Sequence, residues 1–169
     1  MKYLIPLILI LTIVSCKHKT KEQAKQLDEL LMALQQMNDT VAALDTMSVF
    51  NLSREIKNTL KSIHTKADTL NVSSAAIIAE VYEGRFKIFY LEDNYQNFLN
   101  EIEISTSQLV KLKQDLKNGL LTKESFNVYY EQEKTIIVNL NKKISEAIAD
   151  ANLVVNSIQQ ESSKIDSLI

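Results

Sequence analysis

The sequence contains very few residues that interrupt a helix. Its 169 residues include two glycines, Gly84 and Gly119, and a single proline, Pro6. Average proteins use about 7% glycine and about 5% proline, so chain breakers are strongly depleted here. We therefore expect long helices over most of the chain.

Cysteine and histidine are also scarce, which excludes several kinds of site. Cys16 is the only cysteine, so the chain forms no internal disulfide and must be stabilised by apolar burial. Of the two histidines, His18 and His64, the second has Asp68 one helical turn away. A closed metal site needs about four ligands. We interpret the His64–Asp68 pair as a surface ion pair or helix-end contact, and we predict no metal and no other cofactor.

The polar residues do not assemble into a catalytic centre. Hydrolytic or redox catalysis needs a nucleophile with a base, or convergent ligands. The acidic groupings lack the following histidine that di-iron bundles use; they are Glu80/Glu83, Glu92/Asp93 and Glu131/Glu133. We interpret them as solvated faces, with Glu92 and Glu133 near the edge of an apolar seam. The chain is predicted to have no catalytic residues and not to be an enzyme.

The charge balance is nearly neutral. Nineteen basic and 21 acidic residues give a net charge of -2. The basic residues form no long stripe interleaved with aromatics, so we expect no nucleic-acid partner.

The first sixteen residues have the pattern of an export signal. Lys2 provides a basic start, and Leu4 to Val14 is an almost unbroken apolar run. Crossing a bilayer takes about 20 apolar residues, roughly twice this length. Pro6 also disfavours a spanning helix. A short apolar core with a basic start and a small residue at its exit is typical of a signal peptide.

The end of this segment, Ile13-Val14-Ser15-Cys16, resembles the lipobox of bacterial lipoproteins. The resemblance covers residues 1–16 only. It implies that residues 1–15 are removed and that Cys16 carries a diacylglyceryl group on sulfur and an acyl group on its new amino terminus. Each buried methylene contributes about 0.8 kcal/mol, so two or more acyl chains would form a permanent anchor. The alternative, an ordinary signal peptide, would leave an unpaired thiol.

The same resemblance bears on location. Loss of Lys2 with residues 1–15 changes the net charge from -2 to -3. Lys17 stands where enteric lipoproteins retained in the inner membrane have an aspartate, so the resemblance implies the outer membrane, on either its periplasmic or its surface face. We expect residues 16–21 to be the lipidated cysteine with a short basic tether, and residues 22–169 to be a single helical domain.

Apolar residues in the remaining chain recur in steps of three and four, the rhythm of coiled-coil helices. In the first segment they are Leu27, Leu30, Leu34, Met37, Val41 and Leu44, then Val49, Leu52, Ile56, Leu60, Ile63, Ala67 and Leu70. The phase slips by about one residue between the two sets. We favour one long helix there; the alternative is a break near 46–52 with Ser48 or Asn51 as a new N-cap.

Two further helices follow. We predict a loop at 71–74, a helix from about Ala75 to Lys117 ended by Asn118-Gly119, and a last helix with Thr122 as its N-cap. The expected inward residues of the second helix are Ile78, Val81, Tyr82, Ile88, Phe89, Tyr95, Leu99, Ile102, Leu109, Leu112 and Leu116. Those of the last are Ile137, Leu140, Ile144, Ala147, Ala151, Val154, Ile158, Ile165 and Leu168.

Three segments of about 48, 43 and 46 residues joined by short turns favour an all-α, elongated, antiparallel up-down-up three-helix bundle. With the break near 46–52 it would have four helices. If the chain folds back at Gly119, residue i of the second helix lies opposite about residue 240 minus i of the last helix. The aromatic zone 82–98 then faces the alanine-rich zone 147–151, and large against small fills a core layer without voids.

The aromatic zone is the strongest candidate for a specific site. Its members are Tyr82, Phe86, Phe89, Tyr90, Tyr95 and Phe98. They make the apolar surface wider than a two-helix contact requires, which favours thick core covered by a third helix, or else a partner patch or ligand pocket. We predict a non-catalytic binding or scaffolding module with an unidentified protein partner; the alternative is a carrier or sensor of a small apolar ligand.

Four short motifs resemble the Asp-Ser/Thr-aliphatic acceptor that one bacterial group uses for O-glycosylation of exported proteins. They begin at Asp39, Asp45, Asp68 and Asp166. Those at Asp68 and Asp166 lie at predicted helix ends and are the favoured pair.

Overall fold

A computed structural model describes residues 4–44, 46–65 and 72–166. It contains four helices: α1 (Leu4–Ala42), α2 (Thr46–Thr65), α3 (Val72–Lys117) and α4 (Lys123–Asp166). No strand occurs within these ranges. The prediction of an all-helical chain is confirmed.

The expectation of one long first helix is wrong, and the four-helix alternative agrees with the structure. α1 ends at Ala42, and the N–H of Leu44 donates to the carbonyl oxygen of Val41 at 3.1 Å, which closes the last turn. α2 begins at Thr46, so the considered N-caps Ser48 and Asn51 lie inside it. The break coincides with the phase slip of the apolar pattern. A straight helix cannot keep two phases on one face, whereas two helices can each bury their own.

The start of α3 also differs from the prediction. The loop was expected at 71–74, but Val72 to Ser74 are helical, and Asn71 lies outside the described residues. Serine near a helix start is compatible with the first turn as well as with the N-cap, so its position alone does not fix the boundary.

The turn between α3 and α4 is confirmed in detail. Gly119 has a φ of 70°, the left-handed conformation that glycine accepts without steric cost. The N–H of Gly119 donates to the carbonyl of Leu116 at 3.1 Å, and that of Leu120 to Asp115 at 3.0 Å, the two bonds of a Schellman motif. α4 then begins with Thr122 as N-cap, whose Oγ1 accepts the Ser125 N–H at 3.1 Å.

The described residues group into two units. The first comprises the described parts of Met1–Asp39 and Glu101–Leu140, and the second those of Thr40–Asn100 and Asn141–Ile169. The buried core of the first unit consists of Leu27, Leu34, Met37, Ile102, Leu109, Leu112, Leu116, Phe126, Ile137 and Leu140. That of the second consists of Val41, Ile56, Ile88, Leu91, Phe98, Ile144, Ala147, Ala151 and Val154.

The heptad rhythm is present in the burial of each helix, but its position on α3 differs in part from the prediction. The buried seam of α3 follows steps of four and three through Gly84, Ile88, Leu91, the half-buried Tyr95, Phe98, Ile102, Ser105, Leu109, Leu112 and Leu116. Tyr82, expected inward, is 42% exposed. Leu91 and Phe98 are buried instead, because they continue the phase that Leu109 to Leu116 establish.

The predicted register of α3 against α4 is confirmed to within one helical turn. In the second unit, Lys87 Nζ lies 2.9 Å from Asp150 Oδ1. Gly84 lies against Val154. These contacts set residue i opposite 237 minus i and 238 minus i, close to the predicted 240 minus i. The two helices are therefore antiparallel, as expected.

Gly84 permits a close approach in the second unit. It is buried, and a Cβ at this position would lie 2.9 Å from Val154 Cγ1. Glycine in a helix interior costs about 0.5–1 kcal/mol relative to alanine. The close contact with α4 explains why that cost is tolerated.

We expect Gly84→Ala to lower the free energy of unfolding by about 1 kcal/mol, because overpacking against the stiff Val154 side chain outweighs the gain in helix propensity. In a Val154→Ala background the same change should stabilise by roughly 0.5–1 kcal/mol. Urea unfolding of the four proteins measures both effects. The exposed Ala79 provides the matched control, since Ala79→Gly in the same helix reports propensity alone. Equal effects of Gly84→Ala in both backgrounds would contradict the steric explanation.

Candidate functional site

The predicted aromatic zone divides into an exposed and a packed part. Tyr82, Phe86 and Tyr90 are 42%, 62% and 46% exposed. Phe98 is buried, and Phe89 and Tyr95 are half-buried. The interpretation of the aromatic zone as part of the core therefore applies only to Phe89, Tyr95 and Phe98. We call Tyr82, Phe86 and Tyr90 the outer aromatic surface; successive members are four residues apart and follow one side of α3.

An arginine is stacked within this surface. The guanidinium carbon of Arg85 lies 3.9 Å from the ring centroid of Tyr82 and 4.3 Å from that of Phe86. Such cation–π contacts contribute about 0.5–1 kcal/mol at exposed sites. Tyr90 is held on one side by an edge-to-face contact with Phe98, with ring centroids 6.5 Å apart. These contacts restrain the side chains while leaving large parts of the rings exposed.

The packed half of the zone faces α2. Lys57 Nζ lies 4.7 Å from the Phe89 ring centroid and 3.4 Å from Glu92 Oε2. The buried Ser53 donates its hydroxyl hydrogen to the same Glu92 oxygen. Phe89 and Glu92 therefore belong to the α2–α3 contact, and Glu92 lies at the seam's edge as predicted.

A cavity beside this contact is too small for an organic ligand. Its volume is about 10 Å³, and it is lined by Leu44, Val49, Phe50, Leu91, Glu92 and Tyr95. That is about the space of one water molecule, whereas ligand pockets usually measure about 300–1,000 Å³. At this place the aromatic zone offers a surface rather than an enclosed site.

The carboxylates bring no metal site together. Within the described ranges, no group of three or more histidine, cysteine or acidic side chains is placed to hold an ion. The side chain of His64 and the whole of Asp68 lie outside the described residues. Glu83 and Asp93 are exposed, and the exposed Glu131 lies 3.7 Å from Lys134. Glu83, Asp93 and Glu131 match the solvated faces that we predicted, and the side chain of Glu80 lies outside the described residues.

Glu133 differs from the other carboxylates. It occupies a seam position of α4 in the first unit, between Tyr130 and the buried Ile137. Its Oε2 is buried, with no hydrogen-bond partner among the described residues. Burial raises the pKa of Glu133 above its ordinary value, since desolvation penalises the charged form. Among the described residues it belongs to no group that could hold a metal ion, so we interpret it as a carboxylate whose burial destabilises the charged form.

The remaining predictions fall largely outside the described residues. Cys16 lies in α1, but its side chain is not among those described. None of the helices, as far as they are described, has the length and apolar character needed to cross a bilayer. The acceptor-like motifs starting at Asp45, Asp68 and Asp166 are each described only in part or not at all. In the remaining motif Asp39 and Thr40 are exposed.

Comparison with known proteins identifies no relative. The chain matches no family model, no curated protein and no solved structure.

The aromatic residues are evident in the sequence, but their division into exposed and packed side chains is not. Arg85 was not among the predicted site residues, although an arginine three residues after Tyr82 and directly before Phe86 is visible in the sequence. A helical wheel drawn from the glycine at position 84 would have separated the exposed rings from the buried ones, since Gly84 lies on the buried seam.

We expect Glu133→Gln to flatten the dependence of stability on pH. The pKa of Glu133 is higher in the folded chain than in the unfolded chain, so the unfolded chain loses this proton at a lower pH. The free energy of unfolding of the wild type therefore falls as the pH rises between these two pKa values. The stabilisation by Glu133→Gln should be small near pH 4 and larger near pH 7. Urea unfolding across this range measures it. Glu131→Gln, an exposed control two residues away, should change stability by less than about 0.5 kcal/mol at every pH. Parallel pH curves for wild type and Glu133→Gln would disprove the assignment.

Proposed function

We propose that this protein is a lipid-anchored cell-envelope protein that acts without catalysis, as a binding or scaffolding module. The outer aromatic surface would contact a protein partner. The observation that carries the proposal is the exposure of three neighbouring aromatic side chains around a stacked arginine on one face of α3. Single exposed apolar residues are normal on protein surfaces, but clustered ones indicate an interaction site.

The composition of this surface fits a protein interface. Tyrosine, phenylalanine and arginine are enriched where proteins bind each other, and tyrosine and arginine are frequent hot spots. Covering the exposed part of each ring would contribute roughly 2 kcal/mol before the costs of association. Because Arg85 already restrains two of the rings, less side-chain entropy would be lost on binding.

The anchor is supported by the sequence of residues 1–16. The lipobox-like Ile13-Val14-Ser15-Cys16 follows a short apolar segment, and Cys16 is the only thiol. With Lys17 after the cysteine, we propose an outer-membrane location. Two or more acyl chains on Cys16 would then hold the helical part at the membrane without a spanning helix.

The surface assignment predicts that Phe86 contributes to partner binding but little to folding stability. Phe86→Ala should lower the free energy of unfolding by no more than about 1 kcal/mol, the size of its cation–π contact with Arg85, whereas Phe98→Ala, its buried counterpart, should cost about 3–5 kcal/mol. Thermal and urea unfolding of the two variants test this. A loss above about 2 kcal/mol for Phe86→Ala would place it in the core and contradict the surface assignment.

The partner contact is tested by site-specific crosslinking in intact cells. A photoreactive residue at position 86 should give a defined protein adduct that Tyr90→Ala weakens. The same residue at position 153 is the matched control, because Leu153 is also 62% exposed and lies in the same unit. Equal adducts from both positions would contradict a specific surface. Copurification of a small apolar molecule that Phe86→Ala abolishes would favour the carrier alternative.

The lipid anchor is tested by the intact mass of the mature protein. We expect a chain that begins at Cys16 and carries the mass of a diacylglyceryl and an N-acyl group. Cys16→Ser should remove both additions and release the protein from membranes. A mature chain with a free thiol would disprove lipidation. The same spectrum shows whether any acceptor-like motif is glycosylated.

A further inference from the structure

The end of the first unit that contains the α3–α4 turn also contains the first described side chains of α1. A groove of about 480 Å³ is lined by Thr20, Lys21, Ala24, Lys113, Leu116, Lys117 and Gly119. Lys113 forms an ion pair with Asp28 one turn further along α1. Residues 20–24 of α1 thus lie beside residues 113–119 of α3. We call this region, residues 20–24 with 113–123, the turn end.

The turn end is locally basic in an acidic protein. Residues 20–24 and 113–123 contain four lysines and two carboxylates, a net charge of plus two, although the whole chain has a net charge of -2. Lys21, Lys117 and Lys123 are exposed. These lysines come from α1, from the end of α3 and from the start of α4. The fold therefore brings together basic residues that are far apart in the sequence.

An exposed apolar side chain lies between Lys117 and Lys123 in the sequence. Leu120 is 69% exposed, the largest exposed fraction among the large apolar side chains of the described residues. It occupies the position of a Schellman motif that usually packs on the residue preceding it by five. Here that residue is Asp115, which offers no apolar surface. Leu120 is therefore left on the outside of the turn.

We propose that the turn end docks on anionic lipid headgroups, with Leu120 entering the headgroup–acyl boundary and Lys117 and Lys123 contacting phosphate groups. A leucine surrounded by lysines matches a membrane interface, where apolar tips enter the acyl region and lysine stems let the charge reach the phosphates. A protein groove would more often present aromatic anchors, which this region lacks.

The inference rests on the proposed lipid anchor at Cys16. Lys21 is five residues from Cys16, about 8 Å along a helix. The turn end lies beside Lys21, so acylation of Cys16 brings the turn end close to the headgroup layer, whose potential acts over about 8–10 Å. The lipid anchor would hold the turn end near the membrane, and contact of the turn end with the headgroups would fix the orientation of the first unit.

The absence of tryptophan makes the contact measurable with a single probe. Leu120→Trp is prepared in the full-length lipidated protein and reconstituted into vesicles of phosphatidylcholine and phosphatidylglycerol that contain brominated acyl chains. We expect blue-shifted emission and quenching at least twofold stronger than for Ile104→Trp. The control Ile104 is 57% exposed and lies in α3 of the same unit, sixteen residues before Leu120. The helix from Ile104 to its end at Lys117 alone spans about 20 Å.

The charge contribution is tested in the same assay. Lys117→Glu with Lys123→Glu in the Leu120→Trp protein should reduce the quenching to the level of Ile104→Trp. Replacing phosphatidylglycerol by phosphatidylcholine should reduce it at least twofold. Helical circular dichroism of each variant should match wild type, because the substituted side chains are exposed.

The outcomes separate this inference from the anchor. Protein that floats with the vesicles and carries acyl mass, but shows equal weak quenching at positions 120 and 104, overturns the docking while the anchor stands. Protein without acyl mass overturns both. Strong quenching at position 120 that is insensitive to the lysine substitutions overturns the role assigned to anionic headgroups.

Discussion

The structure depends on one constraint, the burial of a continuous apolar seam along α3. Its positions recur in steps of four and three from Gly84 to Leu116. α3 contributes to both units, and α1, α2 and α4 each bury a matching set of side chains. Without a disulfide or, among the described residues, a metal cluster, apolar burial is the main source of stability. The length of α3 follows from this seam and from the absence of proline within it; its one glycine, Gly84, is buried against Val154.

Departures from apolar packing in the core have different physical consequences. Gly84 removes a side chain and admits Val154, which brings two helices close together. Ser53 is buried but hydrogen-bonded to Glu92, so its polar group is satisfied. Glu133 places a carboxylate in the seam without a partner among the described residues, and burial raises its pKa. Gly84 thus allows closer packing, and the hydrogen bond of Ser53 offsets the desolvation of its hydroxyl. The buried oxygen of Glu133 has no such compensation among the described residues.

The candidate interaction surfaces consist of side chains that the seam does not use. The outer aromatic surface follows a side of α3 away from its buried positions, and Arg85 holds two of its rings. Leu120 lies in the α3–α4 turn, and its side chain is 69% exposed. In both places an apolar group remains exposed beside positive charge. The aromatic surface is suited to a protein partner and the turn end to lipid headgroups, because aromatic anchors are present in one and lysines predominate in the other.

The sequence by itself determined the helical class, the seam rhythm, the α3–α4 turn with its caps, and the approximate register of those two helices. These features depend on local chemistry: the spacing of apolar residues, the conformational freedom of Gly119 and the hydroxyl of Thr122. Only the tertiary structure decided that the first segment breaks after Ala42, because a phase slip can be absorbed by winding or by interruption. It also decided which aromatic residues are exposed. Phe86 and Phe98 have the same side chain, and only the neighbouring helices make one a surface residue and the other a core residue.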